Sequence, residues 1–230
     1  MLDSFSARMK GYESVSQSIL MHRTPVIVRV DGKNFSNLTR GMEKPFDRQF
    51  AQCMKVVAMR LASEAQNCCF VYHQSDEVSL LLIDFRSLTS EAWFGNQVQK
   101  ICSISAALAT SAFIEMFIKL FPEHVLVGKL PVFDARCFNL PREEVTNYFV
   151  WRQRDAERNR MIDMLMSQKG INWDDYDALF KRGAVITKKI AHSNVMHDVV
   201  RMNWSDADAP IFAQERDFIE KFLREEEVRT

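Results

Sequence analysis

Val26-Ile27-Val28-Arg29-Val30-Asp31-Gly32 is the stretch on which the fold turns. It is β-branched and alternating, it follows Pro25, and Gly32 ends it, so it reads as a strand. A period of two puts Ile27, Arg29 and Asp31 on one face and Val26, Val28 and Val30 on the other. Downstream, Cys68 to His73 and Val78 to Ile83 read as two strands around the polar tip Gln74-Ser75-Asp76-Glu77, a β-hairpin. Between the first strand and the hairpin, Asp47 is placed to cap a helix of about 48–66. A long apolar helix over about 91–121 and a strand at 131–138 complete the order β-α-β-β-α-β. That order predicts an α+β, ferredoxin-like core, one antiparallel sheet covered by helices.

Outside this core, the spacing predicts a helix over 3 to about 20 and another over about 142–168 that is basic in its middle. Short strands are expected at 184–188 and 198–203, and a last helix at 213–226. No internal repeat or low-complexity linker divides the 230 residues, so a single domain is expected. Thirty Lys and Arg balance thirty Asp and Glu, and 47% of the chain is hydrophobic. This excludes collagenous and compositionally disordered classes. Zero net charge argues against binding nucleic acid through overall positive charge, and leaves room for a local basic groove. The N-terminal residues carry no apolar signal-like run, and the uncharged stretch Ile101 to Ile114 is short of the ~20 residues of a membrane span. A cytoplasmic protein with no membrane partner is expected. The five cysteines form no CxxC pair and read as reduced thiols, and His192 and His197 read as ordinary polar residues.

Chemistry is suggested where Asp31 closes the first strand and Asp76 sits at the hairpin tip, places that can lie side by side in such a sheet. Gly32 frees the backbone to turn. Two carboxylates and a carbonyl form an all-oxygen site that suits Mg²⁺, and paired Mg²⁺ ions serve in-line phosphoryl transfer. Spacing alone leaves the plainer reading open, because Asp-Gly and Ser-Asp-Glu are also common turns.

The motifs taken together add more. Arg29-Val30-Asp31-Gly32-Lys33-Asn34-Phe35, then Lys44-Pro45-Phe46-Asp47, Gln74-Ser75-Asp76-Glu77, Phe133-Asp134-Ala135-Arg136, and Trp151-Arg152-Gln153 with Asp155 resemble, in order and spacing, the tRNA-His guanylyltransferase family. The resemblance runs from about residue 5 to 225. It implies a palm-like catalytic core over about 24–140 with a helical, basic elaboration over about 141–230. It also implies nucleotide addition to the 5′ end of tRNA in the 3′-to-5′ direction, with two Mg²⁺ ions and with ATP, GTP or other nucleoside triphosphates as substrates. Family members form homotetramers.

Carried over by residue, the resemblance makes Asp31, Asp76 and the Gly32 carbonyl the metal ligands. The loop Gly32, Lys33, Asn34, Phe35 and Ser36 becomes the triphosphate cradle, with Lys44 and Ser75 beside it and Lys100 a further phosphate contact. Asp31, Asp76 and Lys44 are the expected catalytic residues. Arg29 either orients Asp31 or binds phosphate, and Glu77 and Asp47 act either directly or in support. RNA is expected on Arg152, Arg154, Arg158 and Asn159 of the basic helix, and on Lys188 and Lys189, which join Lys181 and Arg182 in a second cluster.

One departure matters. Members that add G to tRNA-His carry a stretch resembling His-Ile-Asn-Asn-Leu-Tyr-Asn where this chain has Glu157-Arg158-Asn159-Arg160-Met161-Ile162-Asp163. Arg152 to Asn159 instead resembles the bacterial and archaeal Thg1-like branch, associated with template-dependent repair of truncated tRNA 5′ ends. Two other readings stand beside this one, a nucleotidyl cyclase built on a similar palm core and a non-catalytic tRNA-binding protein.

Overall fold

The computed structural model describes residues 4–126, 130–166, 172–191 and 201–224. Helix α1 (Ser4–Ser14) leads to β1 (Val26–Gly32), a short α2 (Phe35–Leu38) and α3 (Arg48–Glu64). The hairpin β2 (Cys68–Gln74) and β3 (Glu77–Leu82) follows, then α4 (Val98–Leu120), α5 (Pro122–Leu126) and β4 (Phe133–Asn139). After α6 (Arg142–Met166) come α7 (Ala178–Arg182), β5 (Ala184–Ala191), β6 (Arg201–Asp208) and one helical turn, α8 (Asp217–Glu220).

The six strands form one sheet in the order β4-β1-β3-β2-β5-β6. Neighbouring strands are all antiparallel. The first four strands are the expected β-α-β-β-α-β core. Its central strand β1 is covered as its alternation requires. Val26, Val28 and Val30 pack with α3 and α4 residues such as Val57, Leu61 and Phe113. Ile27 packs on the other face with Val145 and Phe149 of α6 and Phe212 of the C-terminal segment. The sheet is therefore sandwiched, with α3 and α4 on one face and α6 on the other. Asp47 caps α3 as expected, its carboxylate accepting from the N–H groups of Gln49 and Phe50.

Several boundaries differ from expectation. The first helix stops at Ser14, because the chain leaves it to bridge Ile19 to Gln97. The long helix begins at Val98, after a 3-10 turn at Trp93–Asn96 in which Phe94 and Gly95 have positive φ. Its 23 residues are long and apolar enough to cross a membrane, and here Ile101, Ala109, Phe113 and Phe117 pack against the protein core. The strand expected at 198–203 is β6, Arg201–Asp208, while 198–200 lie outside the described residues. It holds its place by pairing with β5 along eight positions instead of by its own polar sequence. The helix expected at 213–226 is reduced to turns around α8, pinned to α6 where Gln153 donates to the Pro210 carbonyl and accepts from the Phe212 N–H. Residues 192–200 and 225–230, with His192 and His197 among them, lie outside the described residues.

Candidate active site

The register brings the two aspartates together. Asp31 pairs with Glu77 across β1 and β3, so the β2–β3 turn sits over the end of β1. The Gly32 N–H donates to the Asp76 carbonyl at 3.1 Å. The turn itself has two residues, Ser75 and Asp76, with Ser75 in the left-handed region at φ 49°. Burial pushes the Asp76 carboxyl up to about 6, and the charge of Asp31 adds to the shift. Asp31 is raised in turn by burial and by Glu77, with Arg29 opposing. Two desolvated carboxylates whose proton affinity is raised by burial and by neighbouring acids, Asp31 acting on Asp76 and Glu77 and Asp134 on Asp31, are a site short of positive charge.

A Cβ on residue 32 would lie 2.5 Å from the Phe35 ring. Glycine is therefore required for Phe35 to keep its place among Phe50, Phe113 and Phe133. Phe35 is thus the anchor of the loop, with its ring in the core. The loop offers fewer donors than the sequence suggested. The Gly32 and Lys33 N–H groups are spent on the Asp76 and Val132 carbonyls, which leaves Asn34, Phe35 and Ser36 as candidate phosphate donors.

Beside the aspartates opens a cleft of about 250 Å³, lined by Ser36, Lys44, Ser75 and Asp76 among others. Lys33 and Asn34 are exposed next to it. The sequence reading missed two further lining residues, Arg160 and Asp163 of α6. A signal for Arg160 was present. The inward stripe of α6 runs Val145, Phe149, Arg152 and Gln153, Ala156, Arg160, at spacings of three and four.

That stripe also corrects the expectation for Arg152. It is 6% exposed, and its guanidinium makes two hydrogen bonds to Glu77, at 2.8 and 2.6 Å, and an ion pair with Asp155. It is a buried tie between α6 and β3, not a surface contact for RNA. Glu77 is committed to the same tie and lies 4.0 Å from Arg29. Arg154, Arg158 and Asn159 are exposed on α6, and Arg158 is paired with Asp155.

Lys188 is exposed on β5 over the Trp204 ring, which packs against the α3 and α4 side of the sheet, opposite α6. Lys188 therefore lies on the face opposite Arg154 and Arg158, whereas Arg182 of the same cluster stays beside α6, where its charge acts on Glu157. The side chain of Lys189 lies outside the described residues. Lys100 is not brought to the cleft by its own chain. It stands near the start of α4, where Val98 and Cys102 meet Cys137, whereas Asp31 pairs with Asp134 toward the other end of β4. Asp47 spends its carboxylate on capping and on the Glu43 N–H.

The donor set suits Mg²⁺. Among the described residues no three His, Cys, Asp or Glu side chains converge on one point. Asp31, Asp76 and the Gly32 carbonyl would hold ions only with phosphate oxygens completing the shell, which is how Mg²⁺ is usually held.

Against this geometry, the family model described as tRNAHis guanylyltransferase matches residues 6–141. The chain belongs to the tRNA-His guanylyltransferase family. Among curated relatives, the tRNA(His) guanylyltransferase of Saccharomyces cerevisiae is 25% identical over 80% of this chain and 92% of its own length. Among solved structures, a bacterial tRNA(His) guanylyltransferase (Thg1)-like protein in complex with GTP is 39% identical, with a TM-score of 0.86 over 96% of this chain and 99% of that one. The complex of such a bacterial protein with ATP gives 0.84 at the same identity and coverage. As a member of the tRNA-His guanylyltransferase family the chain is a nucleotidyltransferase.

Proposed function

We propose that this tRNA-His guanylyltransferase family member extends tRNA 5′ ends in the 3′-to-5′ direction under a template, in the manner of tRNA 5′-end repair, with tRNA and nucleoside triphosphates as substrates. The observation that carries the reading is the pair Asp31 and Asp76, joined through Gly32, with Asp76 lining a cleft that also contains Lys44, Ser36 and Ser75. The GTP and ATP complexes of the Thg1-like relative support triphosphates as ligands.

The reaction is two in-line displacements. A 5′-monophosphate attacks the α-phosphorus of ATP, and pyrophosphate leaves an adenylylated end. The 3′-hydroxyl of the incoming nucleotide then attacks the 5′ phosphorus, and AMP leaves. With a 5′-triphosphate the second displacement proceeds directly and releases pyrophosphate. Two bound Mg²⁺ ions would supply charge neutralisation for the attacking and leaving oxygens. Asp31 and Asp76 hold the charge that retains them, Lys44 balances the triphosphate, and the Asn34–Ser36 backbone orients it. RNA approaches along the α6 face, on Arg154 and Arg158. Assembly as a homotetramer is supported by exposed apolar residues on α1 (Phe5, Tyr12) and α4 (Ile104, Ile118), and light scattering at the tetramer mass checks it.

The test supplies Mg²⁺, labelled nucleoside triphosphates and a tRNA lacking its 5′ nucleotide. Template-matched extension is expected, with Asp76→Ala reducing it by about 100-fold or more. A cyclic nucleotide made without RNA, or binding without turnover, overturns the reading.

A further inference from the structure

Arg160 of α6 lines the cleft together with Ser36 and Lys44. Its side chain is only 15% exposed, and its one ion pair among the described residues is with Asp163 at 3.7 Å, beyond hydrogen-bond distance. The guanidinium lies over the rings of Phe46 and Phe180, at 6.0 and 5.6 Å. These rings fix its position and offer it no acceptor. Arg152 on the same helix shows the contrast, with its fork closed on Glu77 by two short hydrogen bonds. A guanidinium has five N–H donors in a rigid plane, matched to two oxygens of a phosphate or carboxylate. Among the described residues no side chain or carbonyl accepts a hydrogen bond from that of Arg160, so its donors are left to whatever fills the cleft. Asp76 lines the same cleft, and its charge acts on the guanidinium.

We infer that Arg160 grips the phosphate tail of the bound nucleoside triphosphate from the α6 side, completing a clamp whose other jaw is Lys44 and the Asn34–Ser36 loop. The inference rests on the nucleotide site proposed above. It adds a residue of α6 to that site and makes Arg160 the group that distinguishes a triphosphate from a monophosphate. Asp163 is the resting partner that the phosphate displaces.

The experiment is calorimetric titration of ATP and of AMP, each with Mg²⁺, into the full chain and its variants. Arg160→Gln is expected to weaken ATP about 10- to 100-fold and to leave AMP nearly unchanged. The AMP arm also shows that the variant cleft is intact. Arg160→Lys, which keeps the charge and loses the fork, should recover part of the loss. Asp163→Asn should bind ATP as tightly as the parent or more tightly. Equal weakening of ATP and AMP by Arg160→Gln, or no weakening of either, overturns the inference. Weakening of ATP by Lys44→Ala but not by Arg160→Gln leaves the nucleotide site standing and removes Arg160 from it. Failure of the parent chain to bind ATP removes the site itself.

Discussion

His73, near the end of β2, and Asp76, in the hairpin tip, answer acid in opposite directions. His73 is 4% exposed with its Nε2 unpartnered, and burial lowers it to about 4. An unfolded chain takes up that proton near the ordinary 6.5, so the His73 contribution is present above that pH and is lost as pH falls toward 4. Asp76 is raised from 3.8 to about 6. Its contribution is present below 3.8 and is lost as pH rises through 6. Each shift corresponds to at most about 3 kcal/mol, and the two slopes oppose each other over the same interval. In metal-free protein, His73→Leu should steepen the loss of stability as pH rises from 4.5 to 6.5, relative to the parent. Asp76→Asn should instead expose a loss as pH falls over that range. Urea unfolding in a chelator at several pH values reads both, and parallel slopes in all three proteins would refute the assignment. Mg²⁺ must displace the Asp76 proton, so its stabilising effect should be larger at pH 7.5 than at pH 5.

Among the elements, α6 is tied to the β2–β3 hairpin by one buried ion pair. Glu77 is 5% exposed and Arg152 6%, and removing one partner strands the other's charge in the core. Arg152→Met or Glu77→Gln alone should cost about 3–5 kcal/mol, and the pair Glu77→Gln with Arg152→Met should recover a large part of it. A double-mutant cycle by urea unfolding measures the coupling, and additive losses would show that the pair is not a tie. This pairing also marks what the sequence could and could not convey. The faces of β1, the cap at Asp47 and the meeting of Asp31 with Asp76 all follow from local pattern and strand order, and they appear as read. Arg152 was misread because Arg152, Arg154 and Arg158 look alike as charges. Which of them turns inward depends on extending the stripe from Val145 and Phe149, and on a partner in β3 distant in sequence. Lys100 stands away from the cleft of its own chain, because motif order carries no information about which end of α4 faces the site. The β5–β6 hairpin was underestimated because its strands are held by pairing to β2 and to each other, while β6 is largely polar.

At the scale of the whole molecule, thirty positive and thirty negative charges sum to zero, and some of them are grouped locally. The carboxylates of Asp31, Asp76 and Glu77 gather at the end of β1, and the arginines Arg154 and Arg158 stand exposed on α6. Lys188 lies across the sheet beside Trp204. An RNA that follows α6 toward the cleft can meet Arg154 and Arg158 and cannot meet Lys188 at the same time. Affinity should therefore come from about two phosphate contacts, not from the surface as a whole. Each phosphate neutralised contributes about −0.9 to the slope of log K against log salt on a duplex, so a slope near −2 is expected for an acceptor-stem duplex. Arg154→Ala should bring it to about −1, and Lys188→Ala should leave it unchanged. Fluorescence titrations at several salt concentrations measure these slopes. A parent slope several units steeper, or one that responds to Lys188 and not to Arg154, would place the RNA on the α3 and α4 face instead. On the proposed function the balanced composition includes two opposed local fields, an acidic one suited to metal ions and a basic one suited to phosphate, and the salt slope counts how much of the second field the RNA uses.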